Sequence, residues 1–357
     1  MDSSALARSR AWVLPGVVML AVATAATACS STGTKAVSFS RHGVTIGTHN
    51  AAIALQDEYE QTVEAVLPSV VQISTKDSTG SGVVYDSSGD IVTNEHVVGK
   101  AKTVQVRDAA GNQVLTADVV GEFAPDDLAV VRVTKNASSL KPAKFANSDS
   151  TMIGEIVLAM GNPLGLTDSV TQGIVSATGR TVSANEEGGA ALITAAIQTS
   201  AAINPGNSGG ALVDLDDEVI GIPTLAARDP QAGGAAPGIG FAIPSNTVQN
   251  IAEQLIKTGK VTRSDRASLQ ITAETAADPA GNAEGVAVTG VAAGGAGAKA
   301  GLKAGDVIVG INDQGTPTLQ ILESTLSALK PGDKVKLHVK SNGSVRIINV
   351  TLGSLGS

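Results

Sequence analysis

Asn204-Pro205-Gly206-Asn207-Ser208-Gly209-Gly210 sets one serine among glycines. A serine so flanked can sit on a sharp turn with its hydroxyl exposed. The glycines also let backbone N–H groups converge on one point, as an oxyanion hole requires. A plain glycine-rich turn would read the same way, so the rest of the chain has to decide. A serine hydroxyl is a poor nucleophile until a base takes its proton. Of the four histidines, His42, His49, His96 and His338, only His96 lies in the β-patterned region, where Ile91-Val92-Thr93-Asn94-Glu95-His96-Val97-Val98 breaks from an apolar strand into a turn. The base in turn needs an orienting carboxylate. Asp126-Asp127-Leu128-Ala129-Val130-Val131-Arg132-Val133 offers two at the head of a strand. A period of two puts Asp127 on a face with Ala129, Val131 and Val133, and Asp126 on a face with Leu128, Val130 and Arg132. The first face is apolar throughout and the second ends in a charge. Asp127 is therefore expected to be the buried partner, with Asp126 as the alternative.

The chain order His, Asp, Ser is that of chymotrypsin, not of subtilisin or the α/β-hydrolases. The patterning agrees. From Val70 to Ile243 the chain is a series of short apolar runs (VVQIS, SGVVYD, DIVTNEHVV, KTVQVRD, LAVVRV, IVLAMG, EVIGI) broken by Gly, Asn, Asp and Pro. Many short strands of this kind predict a barrel or sandwich. Hydrophobic residues make up 43% of the 357 and aromatics only 2%, so the cores must be Val, Ile, Leu and Ala. Helical spacing of Ile53, Leu55, Tyr59, Val63 and Val66 predicts a helix over 52–66, ended by Pro68. Ser245 is expected to N-cap a second helix through Val248, Ile251, Ala252, Leu255 and Ile256, with Gly259 as its stop.

With these residues in place the chain resembles the HtrA/DegP family of trypsin-like proteases. The carrying segments are GSGVV (80–84), TNEHVV (93–98), DLAVVRV (127–133), GNPLGL (161–166), TQGIVSATGR (171–180), AAINPGNSGGAL (201–212) and GIGFAIP (238–244). The resemblance implies a mainly β fold: a chymotrypsin-like double β-barrel protease domain over 51–259, then a small α+β PDZ domain. It implies catalytic His96, Asp127 and Ser208, and an oxyanion hole from the N–H groups of Gly206 and Ser208. Secreted trypsin-like enzymes usually carry Asp where this chain has Asn207. Asparagine cannot pair with a new N-terminus, so activation need not involve zymogen cleavage. The family commonly has Asp at Ser200. In the barrel-protease layout Ala202 is the floor of the specificity pocket, and Gly238, Ile239 and Gly240 form its wall. No carboxylate stands there for Lys or Arg, so cleavage after Val, Ala, Ile or Leu is expected. The family also implies trimers built through the protease domains.

After a short charged linker at 260–265, residues 266–353 contain strand patterns, a helical stretch TLQILESTLSAL and a hairpin at Asn342-Gly343. This resembles a PDZ domain, most recognisably in Ala300-Gly301-Leu302-Lys303-Ala304-Gly305-Asp306. PDZ domains take an extended C-terminal peptide by strand addition, with its carboxylate in a nest of N–H groups. Ser268-Leu269-Gln270-Ile271 falls at that loop. The family usually has Gly at Gln270, so weak peptide binding is expected. His338 on the last hairpin is expected to be structural or solvated.

Residues 1–28 read as an export signal: Arg8 and Arg10, then the apolar Ala11–Ala25, then small residues before Cys29. Cys29 is the single cysteine, which excludes internal disulfides and a Cys-based zinc cluster. It suits lipidation, although Ala26 is unusual in a lipobox. Ordinary cleavage near Ala28, or an uncleaved anchor, stays open. All three place the mature protein outside the cytoplasm, in the cell envelope, with 29–50 as a polar tether. The formal charge of −8 and the lack of Lys/Arg runs argue against nucleic acid. No cofactor or metal is implied, and no P-loop for ATP occurs. The function expected is ATP-independent proteolysis of unfolded or misfolded proteins, regulated by the PDZ domain. The alternative is a largely inactive PDZ-dependent chaperone or sensor on a protease scaffold.

Overall fold

Thirteen strands build two barrels in succession. The computed structural model describes residues 48–357 apart from 110–112, 163–168, 184–191, 205, 230–233, 278–280, 342 and 357. Helix α1 (Thr48–Val66) leads into β1 (Val70–Ser74), β2 (Thr79–Val84) and β3 (Asp90–Thr93), then the one-turn α2 (Glu95–Val98). Strands β4 (Thr103–Arg107), β5 (Val114–Phe123) and β6 (Leu128–Val133) complete a closed barrel in the order β1-β2-β3-β6-β5-β4. The second set is β7 (Lys144–Phe145), β8 (Ile156–Gly161), β9 (Ser169–Ser183), β10 (Leu192–Thr199), β11 (Ala211–Val213), β12 (Glu218–Asp229) and β13 (Gly234–Pro244). Its order is β11-β8-β9-β10-β13-β12, and the β11–β12 pairing closes the ring, with β7 added parallel to β12. Helix α3 (Ser245–Thr258) follows.

Each barrel has its own aliphatic core: Val71, Ile73, Ile91 and Val131 in the first, Val157, Val175, Ile197 and Leu212 in the second. A third cluster joins them, with Leu128 and Val130 from one barrel, Leu158, Ile222 and Ile243 from the other, and Val248, Ile251 and Leu255 of α3. Strand β6 is thus buried on both faces. This corrects the alternation argument for Asp127, because both faces of β6 are buried except at the part-exposed Arg132. The strand also begins only at Leu128; Asp127 lies before it in the left-handed region (φ 50, ψ 46). Asp126 and Asp127 are both buried.

Helix α1 starts four residues ahead of the predicted 52, where Ala51, Ala52 and Ala54 favour helix. Ser245 is the first helical residue of α3 and Pro244 the cap; the Ser245 hydroxyl donates to Ala146 O at 2.7 Å instead. Gly259 does end α3, in the left-handed conformation (φ 70). The stretch 260–265 is tied down. Val261 is buried, and Gln254 accepts from the N–H groups of Thr262 and Arg263, each at 3.0 Å.

The C-terminal unit comprises β14 (Ala267–Ser268), β15 (Ile271–Ala277), β16 (Ala283–Val291), α4 (Ala296–Ala300), β17 (Val307–Ile311), β18 (Gln314–Gly315), α5 (Leu319–Ser327), β19 (Lys334–Ser341), β20 (Ser344–Thr351) and β21 (Gly353–Ser354). Its main sheet runs β15-β16-β17-β19-β20, over a core of Val286, Ile308, Ile311, Leu337 and Val339. It belongs to the same compact body, His49–Ser357, as the barrels.

Arg132 and Asp90 are cross-strand partners in the first barrel and form a two-pronged pair, Nε–Oδ1 2.7 Å and Nη2–Oδ2 2.9 Å. The Asp90 carboxylate is fully buried. Arg132→Met should strand it and cost about 3 kcal/mol or more, read as a lower midpoint in urea unfolding. An unchanged midpoint would show that the pair contributes nothing.

Candidate active site

The turn that carries Ser208 is shaped by glycine and by one strand. Gly209 has φ +80, and a Cβ there would lie 2.2 Å from Ser81 O; one on Gly210 would lie 2.1 Å from Met160 O. No side chain fits against backbone at such distances. Ser81 of β2 is the hub. Its N–H donates to Ser208 O (2.9 Å), and its hydroxyl donates to Gly206 O (2.6 Å) while accepting from Asn162 N (2.8 Å). The Thr93 hydroxyl in turn donates to Ser81 O (2.6 Å).

Neighbouring N–H groups in the turn are engaged: Asn207 with Asn204 O (3.2 Å), Gly209 with Pro223 O (2.9 Å) and Gly210 with Asn207 O (3.0 Å). Those of Gly206 and Ser208 have no such acceptor among the described residues, which suits donors that await an oxyanion. The Asn207 side chain is satisfied inside the turn. Its Nδ2 donates to Ala202 O and its Oδ1 accepts from Asn204 N, both at 3.0 Å.

His96 stands in α2, with Nδ1 2.9 and 3.0 Å from the two oxygens of Asp127, and its own N–H donates to Oδ1 (3.1 Å). The His96 side chain is 45% exposed and that of Asp127 only 4%, so the base faces solvent and its partner does not. Asn94 Nδ2 fixes the Asp127 carbonyl at 3.0 Å. Thr224, from β12 of the second barrel, donates its hydroxyl to Asp127 Oδ2. The Thr224 carbonyl accepts from the Ser208 hydroxyl at 3.2 Å. Ser81, Asn94 and Thr224 escaped the sequence reading as actors. Ser81 carried a signal, a small polar residue between two glycines in an otherwise apolar strand.

Partial burial works against a charged His96, but the hydrogen bond and charge of Asp127, helped by Glu95, outweigh it and raise the imidazole above its ordinary 6.5.

The other expected residues fall as follows. Ala202 is exposed, and its carbonyl accepts from Thr171 Oγ1 at 2.9 Å. Gly240 pairs with Thr199, and a Cβ there would come within 2.3 Å of Ile203. Gly238 and Ile239 are exposed just before it on β13. Ser200 Oγ accepts from Ile174 N at 3.0 Å, bracing β9. In the C-terminal unit β15 is an edge strand with α5 packed against it. Gln270 adopts φ +53, a conformation in which glycine would be at ease. Its side chain accepts from Ala296 N (2.9 Å) and donates to Ser354 O (3.1 Å). Its N–H donates to Ser268 Oγ (2.9 Å), Leu269 is buried and Ile271 pairs with Val291. His338 Nε2 lies 2.9 Å from Asn312 O. Cys29, His42, Pro205, Asn342 and the loop 184–191 lie outside the described residues, and His49 falls in the first turn of α1. Among the described residues no helix is long and apolar enough to cross a membrane.

Two barrels with His96, Asp127 and a glycine-framed Ser208 at their junction define the class, and the comparisons agree. Residues 80–222 match the trypsin-like peptidase domain family and residues 256–352 the PDZ domain family. The periplasmic serine endoprotease DegP of Salmonella typhimurium is 39% identical over 277 residues, covering 76% of this chain and 56% of that protein. The serine protease Do-like HtrA of Lactococcus lactis is 36% identical over 296 residues, covering 77% of this chain and 70% of that protein. The solved HtrA-type protease AlgW with decapeptide is 31% identical with a TM-score of 0.55, covering 83% of this chain and 98% of that one. The chain belongs to the HtrA/DegP family of trypsin-like serine proteases with a PDZ domain. It spans little more than half the length of the DegP it matches, 56%.

The His96 ring should titrate above 6.5 by NMR in Ser208→Ala protein. Asp127→Asn should bring the midpoint down. A wild-type midpoint at or below 6.5, or one unmoved by Asp127→Asn, would contradict the contact described.

Proposed function

We propose that this protein is an exported, ATP-independent serine endopeptidase that degrades unfolded or misfolded proteins, with His96, Asp127 and Ser208 as its triad. The single observation that carries this reading is the contact of His96 Nδ1 with Asp127, 2.9 Å from Oδ2, beside the glycine-framed Ser208. Such a contact fixes the tautomer, so Nε2 is left free to take a proton. In the reaction Ser208 Oγ bonds to the peptide carbonyl carbon and its proton passes to His96 Nε2. The N–H groups of Gly206 and Ser208 receive the oxyanion. The C–N bond then breaks, and His96 returns the proton to the leaving amine. Water repeats the sequence on the acyl-enzyme. His96 works as a base only when neutral. With its pKa raised, the rate falls as pH drops through a value above 6.5.

One observation favours a regulated enzyme over a constitutive one. The Ser208 hydroxyl has a single proton, and it donates to Thr224 O at 3.2 Å. Rotation toward His96 must precede attack, and substrate or a PDZ ligand can drive it. The Ser268 hydroxyl holds the Gln270 N–H, one of the donors a peptide carboxylate would need, so PDZ affinity is expected in the micromolar range or weaker. The lack of a carboxylate at Ala202, Gly238, Ile239 and Gly240 supports cleavage after Val, Ala, Ile or Leu. Trimeric assembly through the protease domains is part of the same reading.

In casein digestion Ser208→Ala should lose essentially all activity, and His96→Ala nearly as much, because the two act as a unit. Peptide-library profiling should show small and medium aliphatic residues at the cleavage site. Turnover by either variant at the wild-type rate would sink the triad, and cleavage dominated by Lys or Arg would sink the pocket.

Export is supported by the 1–28 pattern and by the word periplasmic in the names of relatives such as DegP. The finer reading is a lipid-anchored envelope protein. Mature protein should fractionate with membranes through Cys29, and Cys29→Ala should release it or block processing. An unmodified mature N-terminus by mass spectrometry would refute lipidation.

A further inference from the structure

Arg266 stands immediately before β14, at the threshold of the PDZ unit. Its side chain nevertheless lies against the turn that carries Asp127. Nη1 donates to Pro125 O at 2.6 Å and stands 3.5 Å from Asp126 Oδ1. The pair is enclosed: the Arg266 side chain is 11% exposed and that of Asp126 3%. A surface ion pair held by two long side chains is weak and replaceable by water. A guanidinium buried against a backbone carbonyl is not, since losing one group leaves the other unsatisfied away from water.

The turn in question is a single 3-10 turn, Ala124–Asp126, closed by the Asp127 N–H on Ala124 O at 3.1 Å. Asp127 then sits at φ 50, ψ 46, where a residue with a Cβ is held only by its surroundings. On its far side Asn94 holds the Asp127 carbonyl. On the near side the tie to the turn comes from Arg266. Burial lifts the Asp126 carboxyl to about 6 against the pull of Arg266. Without the guanidinium that carboxyl would be stranded beside Asp265, whose charge pushes the same way. Arg266 is itself anchored in the PDZ unit. Its carbonyl accepts from Leu355 N at 2.9 Å, and its charge is felt by Glu323 on α5, the helix packed against β15.

We propose that Arg266 is a positioning residue for the reaction, acting through the Ala124–Asp126 turn to hold Asp127 in the left-handed, His96-binding conformation, so that the PDZ unit supplies part of the triad's alignment. The effect on turnover rests on the protease reading given above; the effect on the His96 ring does not.

The test compares Arg266→Ala and Arg266→Gln with wild type in the full chain. Turnover is measured in the active protein, and the His96 ring is titrated by NMR in the Ser208→Ala background. Arg266→Ala should lower kcat about tenfold or more with KM within about twofold, as misplacement near the reacting atoms does. Its His96 midpoint should move down toward 6.5, because a displaced Asp127 no longer raises it. Arg266→Gln keeps an N–H donor without the charge and should fall between. A folded Arg266→Ala with wild-type kcat, or with reduced kcat but an unmoved His96 midpoint, overturns the proposal. If Arg266→Ala does not fold, Arg266→Gln decides: a wild-type midpoint and kcat there overturn it. An inactive wild type would remove the protease reading while the ring titration still judged the clamp.

Discussion

A carboxylate taken out of water must be met by donors on every side, and Asp127 is such a carboxylate. Its side chain is almost fully enclosed. The donors come from two directions: the His96 ring and backbone N–H in α2, and the Thr224 hydroxyl in β12. An isolated buried charge would cost several kcal/mol. The requirement to satisfy this one therefore brings elements of both barrels to a common point. It also sets the character of the base. The same charge that orders the His96 ring raises its pKa, so orientation and basicity have one source.

Ser208 is placed by a separate set of contacts. Ser81 threads between two glycines of β2 and grips the turn at Gly206 O and Ser208 O. The turn can come that close only because Gly209 and Gly210 carry no side chain. Thr224 touches both halves, its hydroxyl on Asp127 and its carbonyl on the Ser208 hydroxyl. The Ser208 hydroxyl rests on that carbonyl at 3.2 Å.

The sequence made the barrel pair and the C-terminal unit legible because strand periodicity and turn residues are local signals, and the strands VVQIS and LAVVRV lie where their patterns put them. The meeting of His96 with Asp127 was readable from residue type and order. Strand alternation does not separate Asp127 from Asp126, since both are buried and Asp127 precedes the strand. What separates the two carboxylates is backbone conformation and the partners each finds. Those partners, Thr224 and Arg266, lie 97 and 140 residues away from them and leave no local mark. Ser245 shows the same limit: a good capping residue by type, it spends its hydroxyl on Ala146 of the second barrel. At Gln270 the expected glycine is absent, yet the left-handed backbone is kept, held by side-chain bonds that only the folded unit reveals.

The central claim is that Ser208 is a nucleophile activated by a His96 that Asp127 orients. Fluorophosphonate labelling with peptide mapping tests it most directly, because the reagent needs no knowledge of the natural substrate. The account predicts a single adduct on Ser208, formed more slowly as pH falls through the His96 pKa and lost in His96→Ala. No adduct on Ser208, or equal labelling with and without His96, would contradict it.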